Sequence, residues 1–240
     1  MRNHSEDPRR EFLINALGLG LFAGGATSGL IQSASAMGDI PAKLPPGQSI
    51  YKLKGMVTVD GFQATIKTQV GANSLIKTGR ASRVIFVVGG DAFILRSNSE
   101  LQLGGEGLLI QGMRMLSGKL LSVFGKRAVP HKIQTTTATI GIRGTGIYVE
   151  SDAEKSYVCT CYGHTLIASA DNPDIQQEVV SKHHDEPLYI YRASTGKVIQ
   201  PAPFIDHTDV ELALIEELVG RTTPFAFTGG AYEAPRKRTY

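Results

Sequence analysis

The residues of this chain best suited to chemistry cluster in its last third: Cys159-Thr160-Cys161-Tyr162-Gly163-His164, then His183-His184-Asp185, then His207. In a strand, residues two apart point to the same face, so Cys159 and Cys161 would present their sulfurs side by side, about 6 to 7 Å apart along the chain. Two thiolates with one or two imidazoles suit zinc, copper or iron. The expected ligands are Cys159 and Cys161 from one strand, with the His183-His184 pair supplying imidazole from a neighbouring segment. Adjacent residues of an extended segment face opposite ways, so one histidine of that pair is expected to bind and the other to lie outside. Two other readings stand beside this one. The cysteines are the chain's only two and could form a disulfide, although an extended strand does not give the i, i+2 geometry without bending. They could also be small buried apolar residues. The spacing matches no standard zinc finger, and Cys-x-Cys-Tyr-Gly-His is not the haem-attachment CxxCH sequence.

Strands must hold these groups. From Lys54 onward the chain is a series of short runs rich in Val, Ile, Phe, Tyr and Thr, each closed by Gly, Asn, Asp or Ser: 56–59, 84–88, 92–96, 101–103, 119–124, 147–150 and 157–162. Val57/Val59, Leu101/Leu103, Leu121/Val123 and Ile147/Val149 alternate as half-buried strands do. The expectation is an all-β fold, either a short β-solenoid or sandwich-like. Gly104-Gly105-Glu106-Gly107 reads as a turn; it lacks the helix and the Lys-Ser/Thr of a phosphate loop. One helix is expected near 208–219. Thr208-Asp209-Val210-Glu211 is a capping box, and Val210, Leu214, Leu218 and Val219 form an apolar face ahead of Gly220. Three turns of helix are marginal alone, so this one should dock on the β body.

Composition narrows the function. The chain has 240 residues, 42% apolar, with 25 Lys+Arg against 22 Asp+Glu and a formal charge of +3. Its most basic cluster is Arg236-Lys237-Arg238, and no groove-sized positive stripe argues for nucleic acid. Walker-type, HExxH and GxSxG sequences are absent, and no pair of carboxylates or Ser/His/Asp set can be placed, so a catalytic role is not expected.

Residues 1–36 have the layout of a targeting peptide. A charged start precedes an uncharged run at 12–31 and the small triplet Ala34-Ser35-Ala36, a cleavage site that would leave a mature chain starting near Met37. Arg9-Arg10-Glu11-Phe12-Leu13 resembles the twin-arginine signature of bacterial export signals. The run is long enough to span a bilayer but is rich in glycine, so cleavage is expected and membrane association only if the signal stays uncleaved. Pro41, Pro45, Pro46 and Gly47 then read as a linker over 37–49.

Over residues 50–165 the chain resembles the FecR-like periplasmic domain. The likeness rests on Gly55-Met56-Val57-Thr58, on Ile76-Lys77-Thr78-Gly79-Arg80-Ala81-Ser82, on Val84-Ile85-Phe86 before Gly89-Gly90-Asp91, and on Leu95 to Leu103 and Ser117-Gly118-Lys119-Leu120-Leu121. Its most specific stretch is Ile133-Gln134-Thr135-Thr136-Thr137-Ala138-Thr139-Ile140-Gly141-Ile142-Arg143-Gly144-Thr145. In that string Gly141 and Gly144 allow a sharp reversal and Arg143 can donate to turn carbonyls. The resemblance implies a β-rich module in the periplasm. The family's best-known members pass the state of an outer-membrane transporter to a sigma factor through an N-terminal cytoplasmic region and one membrane span. A chain opening on a weakly apolar signal departs from that plan, so the fold transfers and the pathway does not. The expected organisation is a signal at 1–36, a linker at 37–49, the FecR-like domain at 50–165 and a C-terminal extension at 166–240. The expected function is a non-catalytic binding or sensory module of the cell envelope, with a small exported metalloprotein or redox protein as the alternative.

Replacing Arg9 and Arg10 with Lys is expected to stop export of a reporter fusion. Undiminished export in a strain lacking the twin-arginine translocase contradicts this route.

Overall fold

Three long strands, each bent near its middle, organise the fold. They are β8 (Leu109–Val123), β10 (Ala138–Ser151) and β11 (Lys155–Ser169) in a computed structural model that describes residues 43–127 and 131–225. The expected signal peptide, the start of the linker and the Arg236-Lys237-Arg238 cluster lie outside the described residues.

The long strands split their partners between two limbs of one sheet. Residues 118–123 of β8 lie between β6 (Asp91–Leu95) and residues 146–151 of β10. β5 (Arg83–Val88) and then β1 (Ile50–Lys54) extend this first limb beyond β6. On its other side come residues 155–158 of β11, β13 (Leu188–Tyr191) and β14 (Ile199–Pro201). Residues 109–117 of β8 belong to the second limb, between β7 (Glu100–Glu106) and β9 (His131–Gln134). That limb runs on through β4 (Leu75–Thr78), β2 (Val57–Val59) and β3 (Phe62–Gln63) at one end, and through 139–142 of β10, 163–168 of β11 and β12 (Gln176–Ser181) at the other. All these ladders are antiparallel except β8 with β9, so the sheet is sandwich-like and not a solenoid of parallel coils.

Burial along the long strands records the change of limb. In β10, residues 138–143 alternate between buried and partly or fully exposed, whereas 145–149 are all buried. β11 is buried from 156 to 162 and alternates afterwards, and β8 is continuously buried only over 120–123. The first limb is covered on both faces. Val84, Phe86, Phe93, Leu95, Leu120, Ile147, Val149 and Val158 point into the core shared with the second limb. Ile85, Ile94, Leu121, Val123, Tyr148, Tyr157, Cys159 and Cys161 point the other way, into a second core closed by helix α1 (Asp209–Leu218). Burying both faces turns the alternating pattern of a half-buried strand into a continuous apolar run.

The bends need residues without a side chain. Gly118 has φ +94°, and a Cβ there would lie 2.1 Å from the Ser99 hydroxyl oxygen and 2.5 Å from the Ser99 Cα. Gly163 has φ +93°, and its Cβ would meet the Gly144 carbonyl oxygen at 2.7 Å. The sharp reversal expected at Gly141 and Gly144 does not occur. β10 runs through both, Gly144 sits in a bulge where the strand leaves one limb for the other, and Arg143 is exposed opposite His164 and outside any turn. A bulge adds twist and re-aims the strand without ending it. The Gly104-Gly107 segment is also more strand than turn: Gly104 to Glu106 lie in β7, and the hairpin turns at Gly107-Leu108.

α1 forms as its sequence dictates. The Thr208 hydroxyl accepts from the Glu211 amide at 3.2 Å, and the Glu211 carboxylate accepts from the Thr208 amide at 3.1 Å. That carboxylate also takes Arg83 at 3.0 Å and Arg96 at 2.9 Å, tying the helix start to β5 and the end of β6. At the helix end Glu216 accepts from the Tyr162 hydroxyl and pairs with Arg221. Among the described residues, no helix is long and apolar enough to cross a membrane.

Gly118→Ala should cost about 2–4 kcal/mol, since it forces a positive φ on alanine and a clash with backbone that cannot move aside. Urea denaturation followed by circular dichroism checks this; a loss below about 1 kcal/mol contradicts the assignment of Gly118 as the hinge between limbs.

Candidate metal centre

β11 aims Cys159 and Cys161 at the same face, as the strand period requires, and that face is the one α1 covers. Both thiols are free and fully buried, so the structure does not join them as a disulfide. Two imidazoles meet them. Cys159 Sγ lies 3.4 Å from His184 Nδ1, Cys161 Sγ lies 3.4 Å from His207 Nε2, and the two nitrogens are 3.1 Å apart. All four atoms fall within 4.8 Å of one another.

Each ligand comes from a different piece of chain, held for its own reason. His184 sits in the turn after β12 with φ +53°, in the left-handed region that a histidine adopts only where its surroundings demand it. Its amide donates to the Cys161 carbonyl at 2.9 Å, locking the turn against β11. His207 immediately precedes the helix cap, with its ring stacked on Tyr148 at 4.4 Å. Phe204 closes the cluster against both rings, at 4.6 Å from His184 and 4.4 Å from His207.

The outward nitrogen of each imidazole is already engaged. His207 Nδ1 donates to the Ile205 carbonyl at 2.7 Å, and His184 Nε2 lies 2.9 Å from Asp209 Oδ1. Such partners fix the tautomer and aim the remaining nitrogen inward, as the outer contacts of metal-binding histidines do. The spacing itself fits an ion. Bonds of about 2.3 Å to sulfur and about 2.05 Å to nitrogen in a regular tetrahedron set S···N near 3.5 Å and N···N near 3.3 Å. Three of the six edges, at 3.4, 3.4 and 3.1 Å, are within about 0.2 Å of those lengths.

The groups of the cluster shift one another's titration. Burial would push the Cys159 thiol up, but hydrogen bonds from Cys161, His184 and His207 outweigh it and hold Cys159 well below the ordinary thiol range. Burial and the neighbouring Cys159 push Cys161 up. Burial opposes charge on His184, yet Asp209 and Cys159 raise it to about 9, and the two histidines beside Asp209 overcome its burial and lower it to about 2. The order Cys159, His184, Asp209 has the connectivity of a thiol nucleophile with its base and orienting carboxylate. The sulfur is sealed, however, at 0% exposure.

The expected ligands therefore divide. Cys159, Cys161 and His184 converge; His183, expected with them, turns its Nε2 to Asp209 Oδ2 at 2.8 Å and stays partly exposed. The fourth convergent group is His207, which the sequence placed near the cluster without marking it as a ligand. Asp209 had no local signal beyond its place in the first turn of a capped helix, where a carboxylate is favoured by the helix dipole.

No protein-family model and no curated protein matches the chain. Among solved structures it is similar to two crystal structures of a candidate anti-sigma factor from Parabacteroides distasonis. Both have a TM-score of 0.44, and the identities are 15% and 14%. The match covers 53% of this chain and spans 58% of the length of those chains.

Proposed function

We propose that this protein is a non-catalytic binding or sensory module of the cell envelope whose fold is closed by one buried zinc ion, held by Cys159, Cys161, His184 and His207. The observation that carries the metal is the convergence of four inward donor atoms within 4.8 Å of one another, three of their separations close to tetrahedral edges, with both outward imidazole nitrogens already committed. Of zinc, copper and iron, zinc is favoured by a closed tetrahedral pair of sulfurs and pair of nitrogens.

The same geometry supports a structural role over a catalytic one. A catalytic zinc keeps a position open for water or substrate, whereas here the protein supplies all four ligands and excludes solvent from both sulfurs. The ion would join three parts of the chain distant in sequence: β11, the turn after β12 and the approach to α1. Loaded before export, it would also keep both thiols from oxidising outside the cytoplasm, in keeping with a signal that exports folded proteins. Placement in the envelope rests on Arg9-Arg10 and the small triplet at 34–36.

Elemental analysis of protein purified without a histidine tag should find about one zinc per chain. Cys159→Ser, Cys161→Ser, His184→Ala and His207→Ala should each drop it below about a tenth of an equivalent, while His164→Ala on the surface should leave it unchanged. Stripping the metal should lower stability by about 4 kcal/mol relative to protein in free zinc at a thousand times its Kd. Wild-type protein carrying less than about a tenth of an equivalent of any transition metal overturns the reading.

A further inference from the structure

The four inner ligands are sealed, so a metal ion needs a way in. Cys159 and Cys161 are 0% exposed, as is the His184 side chain, and His207 is 2% exposed. One hydrogen-bonded line leads outward from them: His184 Nε2 to Asp209 Oδ1, then Asp209 Oδ2 to His183 Nε2. It ends at solvent, where the His183 side chain is 39% exposed.

We propose, building on the zinc reading above, that His183 and Asp209 form an outer capture site for the same divalent cation, through which the buried centre is loaded and emptied. Three observations carry this. His183, Asp209 and His184 bring two imidazole nitrogens and a carboxylate oxygen within 4.8 Å of one another, a second group of metal-ligating type distinct from the inner four. His184 belongs to both groups, with Nδ1 turned to the sulfurs and Nε2 to the outer site, so a single ring stands between the two positions. Phe225 covers the outer site as a lid would, its ring 4.4 Å from that of His183.

The transfer is ligand exchange without redox. The hydrated dication sheds waters to bind His183 Nε2 and the Asp209 carboxylate. It then exchanges these for His184 Nδ1, His207 Nε2 and the two sulfurs. Protons displaced from the inner ligands leave to solvent, and Asp209 returns to supporting His184.

A loading site and a merely supporting residue differ in what they change. A site on the route alters uptake and release by the same factor and leaves affinity alone, because both directions cross the same barrier. A residue that only orients Asp209 and His184 alters affinity itself, typically by 10- to 100-fold. The test uses cobalt(II) as probe on the full folded chain, with uptake by stripped protein and release to a chelator both followed by the visible spectrum of thiolate-bound cobalt. His183→Ala and His183→Gln should each slow uptake and release by about tenfold or more while Kd stays within about threefold. Phe225→Ala should speed both.

Unchanged rates in both His183 variants overturn the proposal. A fall in affinity matching the fall in uptake overturns it too, in favour of a supporting role, and loss of cobalt at equilibrium overturns it by making His183 a ligand of the centre. Where stripped protein does not stay folded, release from cobalt-loaded protein alone decides, since the loading site must slow it. Wild-type protein that takes up no cobalt overturns the zinc reading instead, and with it this one, so the two failures are read from different proteins.

Discussion

Burying a thiol, an imidazole and a carboxylate in one hydrogen-bonded row is the constraint on which the C-terminal half of this structure depends. Isolated charges in such a place cost far more than a folded protein can spare, and they persist only when paired and hydrogen-bonded. Cys159, His184 and Asp209 meet that condition along a line of contacts at 3.4 and 2.9 Å. Each member is useless without the next. Remove Asp209 and His184 loses its outward partner; remove His184 and both Cys159 and Asp209 lose theirs. A dication replacing the inner protons would satisfy the same groups with bonds instead of hydrogen bonds, and the line and the tetrahedron share two atoms, Cys159 Sγ and His184 Nδ1.

That constraint explains the position of α1. A limb with apolar side chains on both faces requires a cover, and a ten-residue helix supplies it. Apolar packing alone does not fix where along the sheet a helix sits. Polar contacts fix it here, at both ends. Glu211 holds the helix start by taking Arg83 and Arg96 while completing the cap, and Glu216 with Arg221 holds its end near Tyr162 and the β5–β6 turn. Just ahead of the first clamp, His207 and Asp209 are delivered to the cluster. Burial pushes the Glu216 carboxyl up, the expected response of an acid whose charge is costly and whose arginine partner only in part offsets the loss of water.

Much of this was legible in the sequence, and the parts that were not share a cause. The runs at 84–88 and 92–96 show their strands because β-branched and aromatic residues fit a pleated, buried surface. The helix was legible because its cap is local: Thr208 and Glu211 lie one turn apart. β12 was not, since Gln176-Gln177-Glu178 carries no apolar period where it faces solvent, and β8 was cut short because Gly112 and Gly118 look like breaks. Gly118 is a hinge within a strand, a distinction made only by the partner it crosses. The two cysteines declared themselves by spacing. His207 and Asp209 could not, for His207 meets Cys161 across 46 positions and Asp209 meets His184 across 25, through the docking of a helix that sequence periodicity does not place.

The central claim is that one zinc ion sits among two sulfurs and two imidazole nitrogens. X-ray absorption at the zinc edge on the purified full chain tests this most directly. The account predicts two sulfur neighbours near about 2.3 Å and two nitrogen neighbours near about 2.0–2.1 Å, with the outer-shell scattering of imidazole rings. A first shell made only of oxygen and nitrogen, or of four sulfurs shared between two chains, would contradict it.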